Sequence, residues 1–168
     1  MTSASARRDG EFACVARNLS VAYRAEPVLR NVDLFVPRGV VMGVVGPNGA
    51  GKSTLIKAML GLVKPLTGRT EFFGLPLARV RQRVGYMPQS ATVDWDFPTT
   101  VQDVVLMGTY GSLGWLRRPG RAERARAMAA MEQTGIADLA SRQISQLSGG
   151  QRQRVALART LGQSPDLY

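Results

Sequence analysis

Val40-Val41-Met42-Gly43-Val44-Val45, Gly46-Pro47-Asn48-Gly49-Ala50-Gly51-Lys52-Ser53 and Thr54-Leu55-Ile56-Lys57-Ala58-Met59-Leu60 follow one another without a break. Their order decides the fold. The first run is short, apolar and rich in Val, which predicts a strand buried on both faces. The last has helix formers at helical spacing and stops at Gly61, which predicts a helix. Between them lies G-x-x-x-x-G-K-S, a phosphate-binding loop. Glycines there let the backbone curl through positive φ and bring successive N–H groups to phosphate oxygens. The helix that follows aims its positive end at the same phosphates. Lys52 supplies a cation for the β- and γ-phosphates, and the Ser53 hydroxyl is placed to ligate Mg²⁺. A chance match in a chain this long is expected on the order of one per cent of the time. The bland alternative, a glycine-rich turn with a surface lysine, requires neither the strand before the loop nor the helix after it.

Composition bounds the rest. With 168 residues, 45% of them hydrophobic, the chain can build one domain with a real core. No apolar run approaches the ~20 residues needed to cross a bilayer. Met1 to Gly10 is small, polar and basic, so it reads as a tail rather than a secretory signal. Cys14 is the only cysteine and there is no histidine, which excludes an internal disulfide and a transition-metal site. A cytosolic protein is expected. The net charge of +10 suggests nucleic acid or an anionic membrane face as partner. The arginines are scattered, however, with local clusters at Arg79-Arg81-Arg83, Arg117-Arg118-Arg121 and Arg124-Arg126. They show no aromatic interleaving of the RNA-binding kind, so solvated surface charge is the reading adopted.

Around the central stretch, short strands are expected at Phe12 to Val15 and Val28 to Val36, with a turn near Arg24 to Pro27. In the second strand Val32, Leu34 and Val36 alternate with Asn31, Asp33 and Phe35, the mark of a half-buried strand. Pro37-Arg38-Gly39 turns into the buried strand. Further strands are expected at Thr70 to Phe73 and Val84 to Met87, then a loop from Pro88-Gln89 to Pro98 exposing Trp95 and Phe97. Thr100 caps a helix, with Asp103 three residues on and Val101, Val104 and Val105 on one face. Gly111 to Gly120 is a loop holding Trp115. Arg121 to Thr134 is helical and stops at Gly135. A last helix runs from near Gly150 to Leu161, and Ser164 to Tyr168 looks like the approach to another buried strand.

Leu147-Ser148-Gly149-Gly150-Gln151 stands directly before that last helix. A serine and two glycines at a helix N-terminus form a second anion-binding concavity, although an ordinary N-cap has the same residues. Following a phosphate loop in the same chain, it completes a pattern. From Leu19 to Tyr168 the chain resembles the ATP-binding subunits of ABC transporters. Gly46 to Thr54 matches the family's phosphate loop, Gln89 in Gly85-Tyr86-Met87-Pro88-Gln89 its glutamine loop, and Leu147 to Gln151 its signature. Tyr23 matches the aromatic residue that stacks on adenine, though it also suits a strand end.

The resemblance implies an α/β fold of the P-loop NTPase class, with a small antiparallel β subdomain and an α-helical signature subdomain. Residues 1–10 would be a tail, 11–90 the β-rich ATP-binding core, 91–147 the helical subdomain, and 148–168 the signature helix and the start of the next strand. It implies ATP and Mg²⁺ as ligands. Gly46, Pro47, Asn48, Gly49, Ala50, Gly51, Lys52, Ser53 and Thr54 would hold the phosphates, with Ser53 and Gln89 at the Mg²⁺. Two such domains would pack head to tail, so that Ser148, Gly149, Gly150 and Gln151 face the nucleotide held by the other domain's Lys52. Lys52 and Gln89 are the residues expected to serve hydrolysis. In the family the sequence after Pro165-Asp166-Leu167 continues as an apolar strand ending in an Asp for Mg²⁺ and a Glu for water, with a histidine later. These 168 residues contain none of them. The core strands at the C-terminal end are therefore expected to be missing, and the chain to be inactive alone.

A narrower resemblance lies between Val93 and Leu116. Asp94-Trp95-Asp96-Phe97-Pro98, Thr100-Val101, Asp103 to Gly108, Tyr110 and Leu113-Gly114-Trp115 look like the ATPases of manganese, zinc and iron uptake systems. The implied function is the energy-coupling subunit of an ABC importer for a divalent metal, peripheral on the inner face of the cell membrane. Its partners would be a membrane permease, a second ATP-binding domain and, indirectly, a solute-binding protein, with no nucleic acid. Two other readings compete. A soluble ABC ATPase acting on nucleic acid or ribosomes would co-purify with RNA, and a nucleotide-binding remnant would not hydrolyse ATP.

Overall fold

The computed structural model describes residues 11–23, 26–88, 93–113 and 118–168. These fall into two compact units, Met1–Arg81 and Gln82–Tyr168.

The first unit is built on a three-stranded antiparallel sheet. Strand β1 (Phe12–Tyr23) lies in the middle, with β2 (Glu26–Pro37) on one edge and β3 (Thr67–Phe72) on the other. The central strand is longer than its apolar pattern suggests, because the pattern breaks at Asn18. That residue takes φ 50° where the register with β2 shifts between Ala16 and Leu19. Its N–H donates to Asp33 Oδ1 at 2.7 Å, so a polar side chain on β2 repairs the interrupted ladder. Beyond the bulge Leu19 and Val21 return to the core. On β2 the expected alternation is observed, with Val32, Leu34 and Val36 half-buried and Asn31, Asp33 and Phe35 exposed. Helix α1 (Lys52–Met59) buries Leu55, Ala58 and Met59, and its chain reverses at Gly61 with φ 68°. A single helical turn, α2 (Leu77–Val80), follows β3.

Two strand expectations are corrected. Val40 to Val45 is not a buried strand: it pairs with no strand among the described residues, and Val41 and Val45 are fully exposed at 104% and 92%. Apolar content alone does not make a strand. A strand exists only through a partner's hydrogen bonds, and burial only through a covering layer. The described β1, β2 and β3 pair among themselves and leave this run uncovered. Val84 to Met87 likewise forms no strand. Val84 makes one isolated parallel bridge to Leu167, beside Gly85 N–H donating to the Leu167 carbonyl at 2.8 Å.

The second unit is helical. Helix α3 (Val101–Met107) starts at Thr100, whose hydroxyl accepts from the Asp103 N–H while Asp103 accepts from the Thr100 N–H, the reciprocal cap expected from the sequence. Helix α4 (Arg121–Gln133) begins where Gly120 N–H donates to Glu123 Oε2 at 2.8 Å and ends before Gly135 at φ 65°. Helix α5 (Gly149–Leu161) completes the group. Val101, Val104 and Val105 meet Ala127, Ala130 and Met131 of α4 and Val155 and Ala158 of α5 in one buried cluster closed by Ile136 and Ile144. Full burial of each larger side chain contributes about 1.5–3 kcal/mol. The expected exposure of Trp95 is also corrected. It is half-buried and packs against this cluster, whereas Phe97, two residues on, stays 57% exposed. The helical core offers a covering layer to the first ring and none to the second. Trp115 and the tail 1–10 lie outside the described residues.

Candidate nucleotide-binding site

The loop from Gly46 to Gly51 reaches its shape through three glycines at φ 158°, 84° and 88°, at positions 46, 49 and 51. The last two lie in the left-handed region that disfavours side chains. Gly51 is also a place of close approach, since a β-carbon there would come within 2.9 Å of the Leu29 methyl on β2. The hairpin thus pins the start of α1. No side chain caps that start and no acidic residue stands in its first turn, so the N–H groups of the turn and the helix dipole are left to an external anion. The Lys52 ammonium folds back over the loop, donating to the Gly46 and Pro47 carbonyls at 2.7 and 2.6 Å. Ser53 is exposed beside it, and Thr54 lies half-buried. A cation and a run of N–H groups converge on one concavity, the donor set a polyphosphate requires. A magnesium ion, a hard cation that takes oxygen ligands, fits the Ser53 hydroxyl next to that concavity.

In the second unit Ser148 opens α5. Its Oγ accepts from Gln151 N–H at 3.4 Å and Gln151 Oε1 accepts from Ser148 N–H at 2.9 Å. The ordinary N-cap that such a serine suggests is therefore present. It does not exclude an anion, because a hydroxyl that accepts can still donate its own proton. Gly149 and Gly150 are exposed, with open space where a side chain would stand. Tyr23 ends β1 and is 47% exposed, paired across the hairpin with Glu26. Gln89 lies outside the described residues. One contact escapes sequence reasoning: Arg152 of α5 stacks over Trp95, residues far apart in the chain whose pairing no local pattern announces.

Glycine-shaped phosphate loop, uncapped helix and lysine define a nucleotide-binding α/β protein. A family profile described as "ABC transporter" matches residues 29–168, and the chain belongs to that family. It is 56% identical over 157 residues to the zinc transport system ATP-binding protein TroB of Treponema pallidum (strain Nichols), covering 94% of this chain and 59% of that one. It is 54% identical over 151 residues to the manganese transport system ATP-binding protein MntB of Bacillus subtilis (strain 168), covering 90% and 60%. Among solved structures it resembles cbiO1 from Clostridium perfringens, part of the ABC transporter complex cbiONQ. The TM-score is 0.75 at 29% identity, over 92% of this chain and 63% of the other. The chain spans about three fifths of the length of the zinc and manganese relatives. Among the described residues no helix is long and apolar enough to cross a membrane.

Proposed function

We propose that this chain is the ATP-binding part of an importer's energy-coupling subunit, and that the cargo is a divalent metal ion such as manganese, zinc or iron. The observation that carries the nucleotide half is the uncapped start of α1 with Lys52 folded over its loop. The cargo half is supported by the names of the zinc and manganese relatives.

In this reading Gly46 to Thr54 cradle the phosphates and Tyr23 stacks on the base. Ser53 and Gln89 would hold Mg²⁺, which neutralises phosphate charge when bound. Ser148, Gly149, Gly150 and Gln151 face the nucleotide of a second ATP-binding unit packed head to tail. Residues 11–90, 91–147 and 148–168 act as ATP-binding core, helical subdomain and signature helix. The subunit works at the inner face of the membrane on a permease fed by a solute-binding protein. The 168-residue polypeptide by itself turns ATP over slowly. It contains Lys52, but not the family's water-activating Glu, and such a base contributes about 10²–10⁴-fold.

Cells relying on this gene test the reading. Lys52→Ala should lower cellular manganese, zinc or iron, measured together by mass spectrometry, and the metal that falls identifies the cargo. Wild-type content of all three would overturn the importer assignment. Phe97→Ala should weaken capture of the permease without lowering the melting temperature. Phosphate release by the pure 168-residue chain at a rate typical of the family would refute the slow turnover.

A further inference from the structure

The start of α5 is held by more than its own cap. The Arg152 guanidinium lies over the Trp95 ring, 5.3 Å from its centroid. Arg152 Nη2 donates to the Ser145 carbonyl at 3.3 Å, and the Arg152 N–H donates to the Ser148 carbonyl at 2.9 Å, opening the helix. Trp95 itself packs against the helical core. A single side chain therefore joins the 93–97 loop, the turn Ile144–Gln146 and the first turn of α5.

Two features argue for more than packing. Gly149 and Gly150 bring no side chain to anchor the turn, and no described residue lies where one would stand. Gln151 is engaged in the cap, which makes Arg152 the next side chain able to orient the turn. Arg152 Nε is buried and has no hydrogen-bond partner among the described residues. A planar guanidinium bonded on one edge and stacked on an indole fixes both tilt and rotation, which a lysine does not.

We propose that Arg152 is a positioning residue. Stacked on Trp95, it sets the direction in which Ser148, Gly149 and Gly150 present their N–H groups to an anion. It also ties that direction to the loop carrying the exposed Phe97, so that displacing the loop reorients the helix start. The role rests on the proposed function, in which those groups face the nucleotide of a second unit.

The test is steady-state ATP turnover by this gene's product with its transport partners, alongside the melting midpoint. Arg152→Ala should lower kcat about three- to tenfold. KM for ATP should stay within about twofold, since the phosphate loop is untouched. Arg152→Lys keeps the charge without the plane and should not rescue. Trp95→Phe keeps a ring and should lose less than Trp95→Ala. In the Arg152→Ala/Trp95→Ala pair the losses should not add. Full activity of Arg152→Lys, or additive losses, would overturn the proposal. If Arg152→Ala fails to fold, Arg152→Lys and Trp95→Phe decide the matter by the same criteria. Gly150→Asp separates the two levels. Turnover abolished by Gly150→Asp but unchanged by both Arg152 variants removes only the role of Arg152. Turnover indifferent to Gly150→Asp removes the signature reading and this proposal with it.

Discussion

Gly108, at the end of α3, lies directly against the backbone carbonyl of Arg159 on α5, leaving no room for a side-chain carbon between them. A β-carbon at Gly108 would overlap the Arg159 oxygen and come within 3.0 Å of its carbonyl carbon. Backbone cannot swing aside as a side chain can. Gly108→Ala should destabilise the helical unit by about 1–3 kcal/mol, read as a shift of the urea midpoint. Gly111→Ala is the matched control, since no described residue lies within 4 Å of its added carbon. It should change stability by less than about 0.5 kcal/mol.

Lys52 donates to two loop carbonyls, 2.7 and 2.6 Å away. Lys52→Ala removes a charge-assisted contact to phosphate worth about 1.5–3 kcal/mol, or roughly 10- to 100-fold in ATP affinity. Titration with a fluorescent ATP analogue checks this. Equal affinity for wild type and variant would remove Lys52 from the site.

The Thr100–Asp103 cap predicts a loss confined to stability. Thr100→Ala leaves the Asp103 N–H in the first turn of α3 without its acceptor and should cost about 0.5–2 kcal/mol in thermal or chemical unfolding. Thr100→Asn should recover most of it. Wild-type stability of Thr100→Ala would mean that the hydroxyl is not the stabilising group.

Cys14 is 1% exposed on the central strand, and burial pushes its thiol pKa up from 9.0 to about 12. The folded protein should therefore resist a thiol reagent near pH 8 and react fully once unfolded in urea. The sign of the pH effect follows. With the folded pKa above the unfolded one, the thiol's contribution is complete below about pH 9 and is lost as pH rises toward about 12. The stability gap between wild type and Cys14→Ala should thus shift against wild type with rising pH over that window. A constant gap would refute it.

What is legible in the sequence is local. Gly46 to Ser53 announces itself because the chemistry of a phosphate cradle is written in adjacent residues. The starts of α3 and α5 at Thr100 and Ser148 are legible for the same reason, each cap lying within four residues. Burial is not legible, because it depends on what lies alongside. Val40 to Val45 carries the composition of a covered strand and is exposed, and Trp95 resembles Phe97 in its setting yet packs inward. Asn18 breaks the apparent pattern of β1, since a bulge is repaired by a side chain on another strand. The Arg152–Trp95 stack is of the same non-local kind.

The exposed Val40 to Val45 run has a consequence beyond the site it leads into. Six residues without charge or proline, unpaired among the described residues and open to solvent, make an intermolecular template. A second copy of the chain offers backbone partners that β1, β2 and β3 leave unsupplied. Handled alone, the chain carries an open apolar ribbon immediately before the glycine-rich loop. Any association through Val41 and Val45 would constrain the backbone entering Gly46, so the state of aggregation would be read in nucleotide affinity.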